Sequence, residues 1–284
     1  MATVQQTAQT IRQQLSSIYQ EQEAGAMAQD VLEHVLQQSR VQMSLNQQQE
    51  VTITQQEELQ TIVEKLLKHE PLQYVLGVAH FYGLELQVNK NVLIPRPETE
   101  ELVDMVIKEH RNQQQLRILD ICTGSGCIPI ALAENLNTEV VYGLEVSEGA
   151  LEVAKANAAN YNQPVKWLHQ DIFDEVQTIE AGSLDIITSN PPYVLEEEQQ
   201  QMRANVLEFE PHLALFVPDT DPLRFYKRIA IVGYSLLKPG GKLYFEINER
   251  YGPETCDVLL QAGFAEAKVV EDLFGKDRMV RAVK

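Results

Sequence analysis

Apolar positions in the first part of the chain recur with the spacing of a helix. Ala28, Val31, Leu32, Val35 and Leu36 fall at i, i+3, i+4, i+7 and i+8, and Leu59, Ile62, Val63, Leu66 and Leu67 repeat that pattern. Each run predicts an amphipathic helix with one core stripe. Thr54-Gln55-Gln56-Glu57 has the form of a capping box opening the second helix, and Pro71 stands just past its end. Ile11, Leu15, Ile18 and Tyr19 predict an earlier helix. The many glutamines between these apolar positions then coat the wet faces of a small bundle. Near Phe81 the period changes. Phe81 to Val88 alternates, Asn89-Lys90-Asn91 reads as a turn, and Val92-Leu93-Ile94 reads as extended, so a hairpin or a pair of short strands is expected. Pro95-Arg96-Pro97-Glu98 is stiff. Thr99 is expected to cap the next helix, with Leu102, Val103, Val106 and Ile107 facing inward.

The rest of the chain alternates short apolar runs with helical patterns. Leu116 to Ile121, Val140 to Leu144, Val165 to Leu168 and Leu184 to Ser189 read as four buried strands. Helices are expected from Cys127 to Glu134, from Glu148 to Ala159, and from Phe225 to Leu237 with Ile229, Ile231 and Val232 available to the core. Pro239-Gly240-Gly241 turns into a strand from Lys242 to Ile247, and a closing hairpin is expected from Ala267 to Val270 and Arg278 to Val283. Strand alternating with helix predicts an α/β, Rossmann-like sheet, mainly parallel with one antiparallel strand, preceded by a small all-α bundle. The expected division is a bundle over 1–78, a β-hairpin linker over 79–95 and an α/β domain over 96–284.

Candidate chemistry lies where the strands end. Cys122-Thr123-Gly124-Ser125-Gly126 joins the first strand to a helix, and its glycines allow a ligand close to the backbone. The third glycine of a dinucleotide fingerprint is absent, because Pro129 stands in its place. Glu145 ends the second strand roughly 20 residues after the turn, where a carboxylate can accept from both ribose hydroxyls. Asp171, after the third strand, could accept from an adenine amine, with Ile172 against the ring. The fourth strand must stop at Asn190-Pro191-Pro192-Tyr193, since neither proline donates a backbone hydrogen bond and each restricts the residue before it. A planar nitrogen is a poor nucleophile because its lone pair is delocalised. Two acceptors, the Asn190 side-chain oxygen and the Pro191 carbonyl, could hold its N–H bonds and aim it at an electrophile, with Tyr193 covering the flat group. A dehydrogenase has no use for that corner. A methyltransferase using S-adenosylmethionine, which carries no pyrophosphate, needs both the nucleoside site and the amide-orienting loop. Arg96 and Glu98, in the joining stretch, are candidates for closing a ligand pocket.

Composition narrows the substrate. Against 23 Lys+Arg stand 41 Asp+Glu, a formal net charge of −18, and no basic patch interrupts it. Such a surface repels phosphate backbones, so stable nucleic-acid binding is not expected. Three cysteines, Cys122, Cys127 and Cys256, are too few and too scattered for a disulfide framework or a zinc site, and no metal is expected. Residues 1–20 carry no secretory signal pattern and no apolar run reaches membrane length, so a soluble cytoplasmic protein without membrane contact is expected, acting as a monomer.

Together these pieces resemble the release-factor glutamine methyltransferases, the HemK/PrmC family. The resemblance rests on Glu70-Pro71-Leu72-Gln73-Tyr74-Val75-Leu76-Gly77, Leu93-Ile94-Pro95-Arg96-Pro97-Glu98-Thr99-Glu100, Asp120 to Gly126, Asn190-Pro191-Pro192-Tyr193 and Phe209-Glu210-Pro211. The Ile-Pro-Arg-Pro-Glu-Thr-Glu piece is the most specific of them. The resemblance implies a class I methyltransferase fold and transfer of a methyl group from S-adenosylmethionine, leaving S-adenosylhomocysteine. The acceptor implied is the side-chain nitrogen (N5) of the glutamine in the Gly-Gly-Gln motif of class I peptide chain release factors, which bears on translation termination. Carried over, Asp120, Cys122, Thr123, Gly124, Ser125, Gly126, Glu145, Asp171, Ile172 and Asn190 would hold the cofactor. Asn190, Pro191, Pro192 and Tyr193, with Arg96 and Glu98, would hold the substrate. The bundle has no catalytic constellation of its own and reads either as a module that docks the substrate or as a stabilising cap on the second domain. The alternatives are an amino-methyltransferase of DNA or RNA bases, a ribosomal-protein glutamine methyltransferase, and a non-catalytic binding module. The acidic charge opposes the first, and an intact turn, ribose acid and tetrapeptide in one chain oppose the last.

Overall fold

The structure, a computed structural model, describes residues 2–284. It divides into two compact units: one runs through Gly77 and includes Arg203–Phe209, and the other comprises Val78–Met202 and Glu210–Lys284.

The first unit contains α1 (Val4–Leu15), α2 (Glu21–Leu36), α3 (Arg40–Leu45), α4 (Ile53–Leu66) and α5 (Leu72–Leu76). Its core is the expected pair of stripes joined by α1, with Leu15, Val31 and Leu66 fully buried. The glutamines do more than coat the surface. At Thr3/Gln6, Ser39/Gln42 and Thr52/Gln55 a hydroxyl accepts from the third-residue backbone N–H while the glutamine returns the bond. The cap of α4 is therefore Thr52, two residues before the expected Thr54. α1 ends at Leu15, so Ile18 is exposed, while the Tyr19 hydroxyl donates to the Leu66 carbonyl at 2.8 Å.

The second unit opens with β1 (Val78–Phe81) and β2 (Leu84–Gln87), antiparallel with Phe81 opposite Leu84. The turn is Tyr82-Gly83, both at positive φ (47° and 77°), not Asn89–Asn91. A two-residue turn of that hand matches strand twist, and it lets Phe81, Leu84 and Leu86 all reach one core. Val92 to Ile94 lies outside the strands of the structure. α6 (Pro97–His110) follows, with Arg96 at the N-cap position and no side-chain cap. Proline suits the first helical position, where no N–H is needed. Thr99 is thereby inside the first turn, and its hydroxyl does not cap the helix.

The sheet is built from β3 (Leu116–Ile121), α7 (Cys127–Asn135), β4 (Thr138–Glu145), α8 (Glu148–Asn160), β5 (Val165–His169) and β6 (Leu184–Ser189). Then come β7 (Val194–Leu195), α9 (Ala204–Leu207), β8 (Phe216–Val217), α10 (Arg224–Leu236), β9 (Leu237–Glu246), α11 (Gly252–Gln261), β10 (Glu266–Glu271) and β11 (Asp277–Val283). Seven strands run in the order β10-β11-β9-β6-β3-β4-β5. β11 runs opposite to the other six strands of that sheet, which are parallel to one another, as expected. One apolar core joins the sheet to α6 and α7, and another joins it to α10 and α11. In α10, Ile229 and Val232 are buried, but Ile231 is 61 % exposed, because the helix shows only one stripe to the sheet. The chain runs outward from β3 through β4 to β5 and then crosses back to place β6 on the other side of β3. The strand order reverses there, and ligands bind at such a point, outside the carboxyl ends.

Candidate active site

A cavity of about 290 Å³ lies at the carboxyl ends of β3, β4 and β6, and the described residues that line it all belong to the second unit. Its floor is the turn after β3. Cys122, Gly124 and Gly126 all have positive φ (62°, 55° and 80°). A Cβ at Gly126 would meet the Trp167 ring at 3.0 Å and the Ala154 Cβ at 3.2 Å, so the turn sits tight against its own scaffold. One at Gly124 would meet nothing within 4 Å, and that glycine faces the open cavity. Pro129 lies in the first turn of α7, where a missing N–H costs little.

The Glu145 carboxylate holds this turn to the end of β4. Its Oε2 accepts from the Gly124 N–H, and Oε1 accepts from the N–H groups of Val146 and Ser147, each at 3.0 Å. A carboxylate has about four lone-pair sites, so one remains for a ligand hydroxyl. The buried hydroxyls of Thr123 and Ser125, beside Asp120 and Cys127, make no hydrogen bond of good geometry within the protein, and both residues line the cavity. Buried polar atoms are normally paired. Two orphans beside an open glycine backbone fit a ligand that brings polar groups to this wall. Asp120 stands beneath them, fully buried and outside the lining. Thr188 donates to its Oδ1 at 2.7 Å, and Oδ2 has no partner. Burial pushes its carboxyl up to about 7, against the Thr123 and Thr188 hydroxyls and with the Glu145 charge adding to the rise.

At the other end, Asp171 lines the cavity and its Oδ1 accepts from the Phe173 N–H at 3.0 Å. Ile172 does not reach the cavity. It is 3 % exposed and belongs to the sheet core, while Phe173 lines the wall in its place. The Phe173 ring meets Phe225 edge-on at 5.2 Å, with the Arg224 guanidinium 4.6 Å from its centroid. A flat apolar surface is thus present where one was expected, one residue later.

Asn190 and Pro192 line the cavity; Pro191 is buried and Tyr193 turns away from it. Tyr193 packs on the sheet core and donates its hydroxyl to Glu246 Oε1 at 3.0 Å, and burial holds that phenol well above its usual range. It braces the corner instead of covering a flat substrate group. The Asn190 Nδ2 donates to Thr99 Oγ1 at 3.2 Å, and Thr99 donates to Glu246 Oε2 at 2.6 Å. Arg96 lines the cavity but does not pair with Glu98. Its guanidinium meets the buried Glu210 carboxylate at 2.5 Å, and Glu210 also accepts from the Ile94 N–H at 3.1 Å. That bridge ties the Pro95-Arg96 wall to Pro211, which lines the same cavity. Glu98 lies outside the lining.

Four contributors escaped the sequence: Thr99, Glu246, Glu210 and Phe173. Thr99 looked like a cap. Glu246 had a usable signal, an acid closing an apolar strand, the same placement that singled out Glu145.

Residues 6–77 match the PrmC N-terminal domain, and residues 99–209 match the methyltransferase small domain. A release factor glutamine methyltransferase of Bacteroides thetaiotaomicron is 45 % identical over 96 % of this chain and 97 % of its own. One from Flavobacterium psychrophilum is 41 % identical over 95 % of each chain. Among solved structures, the Thermus thermophilus 16S rRNA N2 G1207 methyltransferase in complex with AdoMet and guanosine superposes with a TM-score of 0.52. It is 17 % identical, and the match covers 73 % of this chain and 49 % of that one. That likeness places the sheet in the class I methyltransferase fold.

Proposed function

The chain belongs to the release factor glutamine methyltransferases, and from that premise we propose that it methylates the side-chain amide nitrogen (N5) of the Gly-Gly-Gln glutamine in class I peptide chain release factors, with S-adenosylmethionine as donor. The observation that carries this reading is the Asn190 carboxamide on the cavity wall, at the end of β6 and across from the glycine turn. The donor supplies a methyl group on a positively charged sulfur. Thr123, Ser125 and the Gly124 backbone present the polar wall for it, Glu145 keeps one acceptor site for a ribose hydroxyl, and Asp171 with Phe173 flanks the base. Asn190 Oδ1 accepts one N–H of the glutamine amide, and the carbonyl of the adjoining Pro191, a residue outside the cavity lining, is the second acceptor this reading requires to turn the lone pair toward the methyl carbon. The nitrogen–carbon bond forms as the carbon–sulfur bond breaks, with that electron pair staying on sulfur. The nitrogen then loses one proton to water. Orientation and fixed dipoles do the work, and no general base is needed before transfer. The net charge of −18 supports a protein acceptor over a nucleic acid.

Purified enzyme, methyl-labelled S-adenosylmethionine and a purified class I release factor test this. Label is expected in the intact factor and absent when Gly-Gly-Gln is changed to Gly-Gly-Ala. Equal labelling of the two overturns the assignment.

A further inference from the structure

A carboxamide can turn either edge to the cavity, and only one edge is useful. If Asn190 offered its NH₂, it would face the N–H bonds of the substrate amide donor to donor. Something must fix the flip. We infer that Thr99 and Glu246 are positioning residues that lock Asn190 with its oxygen toward the cavity, a role that rests on the reading that a planar amide is received there.

The chain of hydrogen bonds has a direction. Thr99 and Glu246 are 2 % and 1 % exposed, so water does not complete their bonding. Glu246 Oε2 takes the Thr99 hydroxyl proton at 2.6 Å, and Oε1 takes that of Tyr193 at 3.0 Å. A hydroxyl has one proton. Thr99, having given it to Glu246, can only accept from Asn190. The edge of Asn190 that faces Thr99 at 3.2 Å must therefore be NH₂, and Oδ1 must be on the other side. The flip is set two residues away, by an ionised carboxylate that touches no ligand.

The lock depends on that ionisation. Glu246 is faced by Thr99 and Glu98 from α6, Tyr193 from the loop after β6, Tyr226 from α10, Cys127 from α7 and Arg278 from β11. Burial raises its pKa, the Thr99 and Tyr193 hydrogen bonds and the Arg278 charge oppose this, and the Glu98 charge adds to the rise. When Glu246 takes a proton on Oε2 it becomes the donor to Thr99. The Thr99 hydrogen is then free to point at Asn190, whose oxygen turns inward to accept it. Acid thus reverses the relay, and it does so at a pH above the usual glutamate value of 4.5.

The test compares Thr99→Ser, which keeps the hydroxyl, with Thr99→Val, which keeps the shape. Two readouts are taken on folded protein. In enzyme with ¹⁵N-labelled asparagine, with the Asn190 signal assigned through Asn190→Ala, exchange of the Nδ2 protons with solvent is expected to be slow in wild type and Thr99→Ser and fast in Thr99→Val. In turnover, Thr99→Val is expected to lose about 10²-fold in kcat, the scale of one misplaced acceptor, with the KM for S-adenosylmethionine nearly unchanged. Thr99→Ser is expected to restore most of it. The acid limb of kcat is expected in wild type and Thr99→Ser and absent in Thr99→Val. Equal exchange in the two variants overturns the relay whatever the substrate is. A wild type that shows slow Nδ2 exchange but transfers no methyl to Gly-Gly-Gln overturns the proposed substrate and leaves the relay standing.

Discussion

At the scale of single residues, the site separates groups that touch a ligand from groups that hold them. Asn190→Ala removes an aimed acceptor without opening the cofactor wall, so kcat should fall by about 10²–10³ while calorimetric affinity for S-adenosylmethionine stays close to wild type. Neighbouring Ile172 and Phe173 should separate in the opposite sense. Ile172→Ala cuts a hole in the sheet core and should cost about 2–5 kcal/mol in urea unfolding. Phe173→Ala removes a cavity wall and should weaken cofactor binding with little loss of stability. The sequence read these two one residue out of place because alternation is a guide inside a strand, and both follow the end of β5, where nothing in the pattern says which side chain turns inward. Asp120 makes a pH prediction. Its pKa rises from the usual 3.8 to about 7 on folding, so the native state holds a proton that the unfolded chain releases. The stability this group contributes is full below about pH 4 and is lost as pH rises to about 7, a change on the order of 4 kcal/mol. Asp120→Asn should be flatter over that window in urea titrations, and parallel curves for the two proteins would remove Asp120 as the cause.

At the scale of elements, what fixes the cavity is a set of stiff segments pinned by buried polar groups. The double proline after β6 was legible at once, since no strand can continue through it. So were the strand–glycine turn–helix unit and the acid ending β4, because local chemistry alone dictates them. The wall from Ile94 to Pro97 was legible as stiff but not as tied. Its partner, Glu210, is 114 residues beyond Arg96, and no local pattern reports such a distance. The start of α6 failed for a related reason. Both proline and threonine signal a helix start, proline won the first position, and Thr99 was left free to reach Glu246. Arg96→Ala leaves the Glu210 carboxylate buried with only the Ile94 N–H, and should cost up to about 3 kcal/mol together with a rise in KM for the cofactor. Glu210→Gln keeps one acceptor for Ile94 and leaves no buried charge, so it should be the milder change. If Arg96→Ala unfolds at the same urea concentration as wild type, the bridge contributes nothing to the wall.

At the scale of the whole molecule, the chemistry and the bundle belong to different compact units. Every described residue lining the cavity comes from the second, and α1 to α5 carry no residue of it. The first unit is nonetheless a complete fold, with three capping boxes and its own core, and it matches the PrmC N-terminal domain. The docking role proposed for this unit can be tested by comparing a short substrate with an intact one. A glutamine in a short Gly-Gly-Gln peptide can engage only the cavity. If the first unit docks an intact release factor, as proposed, the factor gains a second contact that a peptide lacks, made at an effective concentration that can multiply affinity by about 10²–10⁴. The intact factor should therefore show a much lower KM than the peptide with a similar kcat, because the geometry at Asn190 is the same for both. Adding the bundle's contacts should leave the affinity for S-adenosylmethionine unaltered. Steady-state kinetics on the two substrates read this directly. Equal KM values would assign the first unit to some task other than docking, while a lower kcat for the peptide would mean that docking also helps to place the amide.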